Sequence, residues 1–173
     1  MPPTGNPDDT VPSAQLPAGS EMRSSGSDPV DRGKSRRLLR LELPADPSAI
    51  SVARHQLHRW LTELSWPPGQ LEDIVLAVNE AVTNAIEYAY LDQPPGLVEV
   101  HGGVEATPDE QRRVTIIVRD HGRWRPPLTN NPYRRRGIPL MRACMETVTI
   151  GQPDDGRVGT WVVLRSRAVP LQR

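Results

Sequence analysis

The sequence has no phenylalanine, a single cysteine (Cys144) and a single lysine (Lys34) among its 173 residues. One thiol can neither close an internal disulfide nor build a cysteine-based zinc site, so Cys144 is expected to be a small buried apolar residue in a reducing compartment. Apart from Lys34 the 21 basic residues are all arginine, a bias of genome composition rather than of mechanism. An excess of either charge is missing as well. The 21 basic and 21 acidic side chains cancel, which removes the bulk attraction that nucleic-acid binding relies on. No run of about 18 apolar residues is present to span a membrane. Met1–Thr10 has neither the basic nor the apolar region of a secretory leader. The expectation is a soluble, cytoplasmic protein with no direct nucleic-acid or membrane partner.

What the chain does contain divides at about residue 36. Residues 1–35 hold six Pro, four Gly and six Ser, too little apolar surface to offset the entropy of ordering, and read as a disordered tail. Gly33-Lys34-Ser35 matches the end of a phosphate-binding P-loop, but the glycine required five residues earlier is Asp28 and no apolar strand precedes it. Residues 36–168 are long enough to bury one core, with 169–173 as a C-terminal end.

Leu38, Leu39, Leu41 and Leu43 form a strand-like run ended by Pro44. Asp46 before Pro47 is a helix start, since proline at the first helical position loses no hydrogen bond and aspartate can cap free amides. Ile50, Ala53, Leu57, Trp60, Leu61 and Leu64 then recur at helical spacing. His55 and His58 lie off that stripe, on what reads as a solvated face. Beyond Pro67-Pro68-Gly69 a second stripe predicts a helix over Leu71–Tyr90. Strands follow at Leu97–Val104 and Val114–Val118, with Pro108-Asp109 in the turn of a hairpin. An irregular stretch, His121–Arg136, leads to a short helix at Gly137–Glu146. Strands at Thr147–Ile150 and Gly159–Leu164, joined by Gln152–Gly156, close the domain. This order predicts an α+β two-layer sandwich, a mixed and mostly antiparallel sheet with helices on one face.

On the second helix Asp73, Glu80, Asn84 and Glu87 fall on the side away from the apolar stripe. A solvated acidic face is one reading. The other is a site: asparagine is a poor mid-helix residue, and the heads of Glu80 and Asn84, an i, i+4 pair, can meet one ion. A carboxylate on a nucleophile and an amide oxygen on Mg²⁺ would suit phosphoryl transfer.

Four segments occur in a fixed order: Asn79-Glu80-Ala81-Val82-Thr83-Asn84-Ala85, Val118-Arg119-Asp120-His121-Gly122-Arg123-Trp124, Arg136-Gly137-Ile138-Pro139-Leu140-Met141-Arg142, and Gly159-Thr160. Together they resemble the GHKL superfamily of ATP-binding domains, and most closely the bacterial anti-sigma-factor serine kinases, over about Arg36–Arg167. The resemblance implies the histidine-kinase-like ATPase fold, ATP and Mg²⁺ as ligands, and protein serine/threonine kinase activity. It implies an antagonist of the anti-anti-sigma type as substrate, a sigma factor as a sequestered partner, and a homodimer as one form of assembly. Glu80 matches the catalytic carboxylate that activates the attacking hydroxyl, and Asn84 the residue that holds Mg²⁺ against the phosphates. Asp120 matches the aspartate that accepts from the adenine amino group. Gly122 matches the glycine that lets backbone approach the base. Gly137 matches the lid glycine before a helix whose amides can meet phosphate, and Thr160 the strand threonine near that aspartate.

The chain also departs from the pattern. Thr129–Arg136 contains no glycine, so Gly137 alone supplies the lid. Tyr88 stands where many relatives have histidine. Trp124 replaces a second glycine, as in the anti-sigma branch. Arg134, Arg135 and Arg136 either grip phosphate through guanidinium forks or serve as solubility charge. The glycine-poor lid leaves an alternative, a nucleotide-gated protein-binding switch that transfers no phosphate. A sensor histidine kinase fragment is disfavoured, because His55 and His58 are the only helical histidines and no accepting domain accompanies them.

Overall fold

The computed structural model describes residues 37–91, 93–123, 136–153 and 158–171. The tail Met1–Ser35, with its P-loop-like triplet, lies outside them, as do Trp124, Arg134 and Arg135. Strand β1 (Leu38–Pro44) is followed by helices α1 (Pro47–Glu63) and α2 (Pro68–Asn84), strands β2 (Leu97–Thr107) and β3 (Gln111–Asp120), helix α3 (Gly137–Cys144), and strands β4 (Thr147–Gly151), β5 (Thr160–Arg165) and β6 (Val169–Pro170). The sheet order is β1-β2-β3-β5-β4, and β6 pairs with the start of β3. Every described pairing is antiparallel. Strands β3 and β4 run in the same direction, but β5 lies between them.

The period of two decides which side is buried. Leu39 and Leu43 of β1, Val98 and Val100 of β2, Val114, Ile116 and Val118 of β3, and Leu164 of β5 all face the helices. There they meet Leu57 and Leu61 of α1, Ile74, Val78 and Val82 of α2, and Met141 and Met145. The alternate residues form the open face, where Ile117 remains 39% exposed in the middle of β3. Cys144 is buried in the helical layer, and burial raises its thiol pKa. Among the described residues no helix is long and apolar enough to cross a membrane.

Helix α1 starts as its sequence directs: the Asp46 carboxylate accepts from the Ser48 hydroxyl at 2.5 Å and from the Ser48 amide at 2.8 Å, and these bonds, the hydroxyl's foremost, lower its pKa. Its far end is held from the sheet. Arg112 is nearly buried and donates to the carbonyls of Leu64 and Ser65 at 2.8 and 3.0 Å, with its guanidinium 4.8 Å from the centre of the Trp66 ring. This satisfies orphan carbonyls at a helix C-terminus. The second predicted helix, Leu71–Tyr90, divides. Regular α-helix ends at Asn84, and Ala85–Ala89 continue as one turn of π-helix. Such turns carry i→i+5 bonds and are concentrated at functional sites.

Candidate functional site

Glu80 and Asn84 lie one turn apart near the end of α2, and both are half-buried rather than on a solvated face. The neighbouring Asn79 accepts a hydrogen bond from Arg54 of α1 at 3.1 Å, which ties this part of α2 to the helix beside it. Opposite stands Gly137, the first residue of α3. A methyl group built on Gly137 would lie 3.1 Å from Glu80 Oε2, 3.3 Å from Asn84 Nδ2 and 3.5 Å from Asn84 Oδ1. Residues 57 and 53 positions apart in the chain thus meet around a point where even a β-carbon would be a tight fit.

The second group of site residues gathers at the end of β3. Asp120 is only 5% exposed. Its Oδ1 accepts from the amides of Gly122 at 3.1 Å and Thr160 at 3.2 Å, and Thr160 is also its register partner on β5. The described residues give Oδ2 no hydrogen bond. Burial raises the Asp120 pKa, against the opposing pull of the two amides. Gly159, just before Thr160, has φ +138°, and a side chain there would press on the Asp120 carbonyl.

Gly122 has an internal reason to be glycine. A methyl group on it would fall 2.0 Å from the Ala89 carbonyl oxygen, at the end of the π-turn. That same carbonyl accepts from the Arg123 amide at 2.9 Å. The π-turn therefore joins the two groups: it leaves Asn84 at one end and grips the Gly122 turn at the other.

Ala89 and Tyr90 carry no site role in the sequence, where both belong to the apolar stripe of the second helix, and Gly159 enters only as the neighbour of Thr160 in the fourth motif segment. Ala89 acts through its carbonyl, which carries no sequence signal. Tyr90 reads as the last apolar residue of a helical stripe, and Gly159 as the start of a strand. By contrast His55 and His58 are exposed on α1, where His58 faces Glu72 at 3.5 Å. Among the described residues no group of three or more His, Cys, Asp or Glu could hold a metal ion by itself.

Residues 43–166 match the family model of the histidine kinase-like ATPase domain. The chain belongs to that family. Among curated proteins it is similar to the serine-protein kinase RsbW of Bacillus velezensis, 32% identical over 84 residues that make up 49% of each chain. It is also similar to the anti-sigma F factor of Halalkalibacterium halodurans, 28% identical over 141 residues, 75% of this chain and 92% of that one. The matched segment spans about half the length of the RsbW relatives. Among solved structures it resembles a Mycobacterium tuberculosis protein comprising RsbU and RsbW domains, with a TM-score of 0.56 and 26% identity over 78% of this chain and 34% of that one. The two-layer architecture expected from the sequence is the one this family adopts, and an ATPase domain implies ATP as its ligand.

The residues present suit that ligand. Asp120 Oδ2 is an acceptor without a partner among the described residues, on a largely buried carboxylate, as an adenine amino donor requires. The Glu80 carboxylate and the Asn84 amide oxygen, side by side next to Gly137, are the hard oxygen donors that Mg²⁺ takes alongside substrate phosphates.

Proposed function

We propose that this chain is a Mg²⁺-dependent, ATP-using protein serine kinase of the bacterial cytoplasm. Its substrate is a serine on an antagonist of the anti-anti-sigma type, and it sequesters a sigma factor when that antagonist does not compete. The observation that carries this reading is the meeting of Gly137 with Glu80 and Asn84. It sets a carboxylate and an amide oxygen beside the start of a helix, in a family that binds ATP.

In this reading Asp120 accepts from the adenine amino group through Oδ2, while the Gly122 and Thr160 amides hold its other oxygen. Asn84 would hold Mg²⁺, which when bound neutralises charge developing on the phosphate oxygens. Glu80 orients the attacking serine hydroxyl and takes its proton as the new oxygen–phosphorus bond forms and ADP departs. The names of the relatives, serine-protein kinase and anti-sigma F factor, support the substrate class.

The test is incubation of the protein with candidate antagonists and ATP labelled at the γ-phosphate. The reading expects labelled phosphoserine on the antagonist, dependent on Mg²⁺. Nucleotide-dependent binding of the antagonist with no phosphoserine would instead establish the nucleotide-gated switch, which the absence of glycine from Thr129–Arg136 favours.

A further inference from the structure

Tyr90 follows the π-turn and bridges the start of β2 to the residue just beyond β3. Its hydroxyl donates to the Leu97 carbonyl at the start of β2, at 2.6 Å, and accepts from the His121 amide just beyond β3, at 3.0 Å. Its ring lies against Gly96 so closely that a methyl group there would come within 2.3 Å of Cε1. The hydroxyl is thus fixed by both bonds and by packing, and burial raises its pKa.

His121 is the residue between Asp120 and Gly122. The strand holds Asp120 on one side, through pairing with Val98 and Thr160. On the other side Ala89 receives the Arg123 amide and blocks any side chain at Gly122. Between these anchors the His121 amide bonds to Tyr90, while its imidazole reaches Glu99 at 2.7 Å on the open sheet face. Three consecutive residues after Asp120 are therefore held by amide bonds: His121 to Tyr90, Gly122 to Asp120 and Arg123 to Ala89. Two of the three bonds end on residues that adjoin the π-turn or close it.

We infer that Tyr90 is a positioning residue for base selection: its hydroxyl fixes the turn that aims Oδ2 of Asp120, so that adenine is preferred over guanine. The inference rests on the reading of Asp120 as the adenine acceptor. It adds that the aim of the carboxylate is set from the residue after the π-turn, whose hydroxyl bonds to the His121 amide and the Leu97 carbonyl.

Tyr90→Phe keeps the ring over Gly96 and removes only the hydroxyl. In the full 173-residue chain, ATP and GTP are titrated with and without Mg²⁺. ATP affinity is expected to fall about five-fold, the effect of one ordinary hydrogen bond. The ATP to GTP ratio should shrink with it, while the factor by which Mg²⁺ improves ATP binding stays at the wild-type value. A variant that loses thermal stability but keeps the wild-type ratio would overturn the inference, because a purely structural tyrosine would do that. Wild-type protein with no preference for ATP would instead overturn the adenine reading of Asp120, and the role of Tyr90 with it. Should Tyr90→Phe not fold, amide exchange in the wild-type protein decides. ATP is expected to slow exchange at His121 at least tenfold, and an unchanged rate refutes the coupling.

Discussion

Gly137 and Glu80, from different helices, stand so close that a β-carbon on the glycine would lie 3.1 Å from the carboxylate oxygen. The neighbour is the far end of a flexible side chain, so Gly137→Ala should fold. Alanine also loses less backbone entropy than glycine on folding. Thermal unfolding is therefore expected at or above the wild-type temperature. Phosphoryl transfer should fall, since Glu80 and Asn84 must both move. Wild-type transfer by the alanine variant would show that this approach has no part in the chemistry.

Glu80 and Asn84 should separate transfer from binding. Glu80→Gln preserves shape and removes the base, so ATP affinity should persist while phosphoserine formation drops by roughly 10²-fold or more. Asn84→Ala should weaken ATP binding only when Mg²⁺ is present. Calorimetric titration with and without the metal, beside a transfer assay, distinguishes the two.

Asp120→Asn should gain stability while losing function. The asparagine oxygen can still accept from the Gly122 and Thr160 amides, and the amide carries no charge to bury. The wild-type carboxyl has a raised pKa, so between its ordinary and its raised value the folded protein binds more protons than the unfolded chain. Wild-type stability then falls as pH rises through that interval. The variant lacks this loss, and its advantage in denaturant melts should grow with pH across the interval and level off above it. ATP affinity should meanwhile drop, because the new NH₂ group meets the adenine amino group donor to donor. The same group can donate to a guanine carbonyl, so the preference for ATP over GTP should narrow.

Gly122→Ala should destabilise the nucleotide-free protein. Its β-carbon would meet the Ala89 carbonyl oxygen at 2.0 Å, and backbone on both sides cannot yield as a side-chain tip can. A cost of about 3 kcal/mol, the upper end of ordinary overpacking, is expected. Equal denaturation midpoints for variant and wild type would refute this, and would leave close approach of a ligand as the remaining reason for the glycine.

Hydrophobic period located both long helices and, with the Pro108-Asp109 turn, the β2–β3 hairpin. Val114, Ile116 and Val118 are buried where their alternation along β3 puts them, and Asp46 caps α1 as its position before Pro47 directs. These are local properties: a side chain's direction follows from its neighbours in the chain. The order of the four motifs was legible too, and with it the family. The end of α2 was not. The stripe from Leu71 to Tyr90 has no break at Asn84, yet the last five residues before Tyr90 form a π-turn, and no propensity distinguishes that from α-helix.

What only the tertiary structure decided is which groups meet. Glu80 and Asn84 could have formed a solvated face, and the packing of α3 against α2 is what brings Gly137 to them. Gly122 could have served a ligand alone, but the Ala89 carbonyl occupies the space its side chain would need. Tyr90 is tied to the turn after Asp120 only because the start of β2 and the end of β3 come within reach of one hydroxyl. Contacts of this kind pass through backbone amides and carbonyls, which are the same in every residue, so the sequence carries no mark of them.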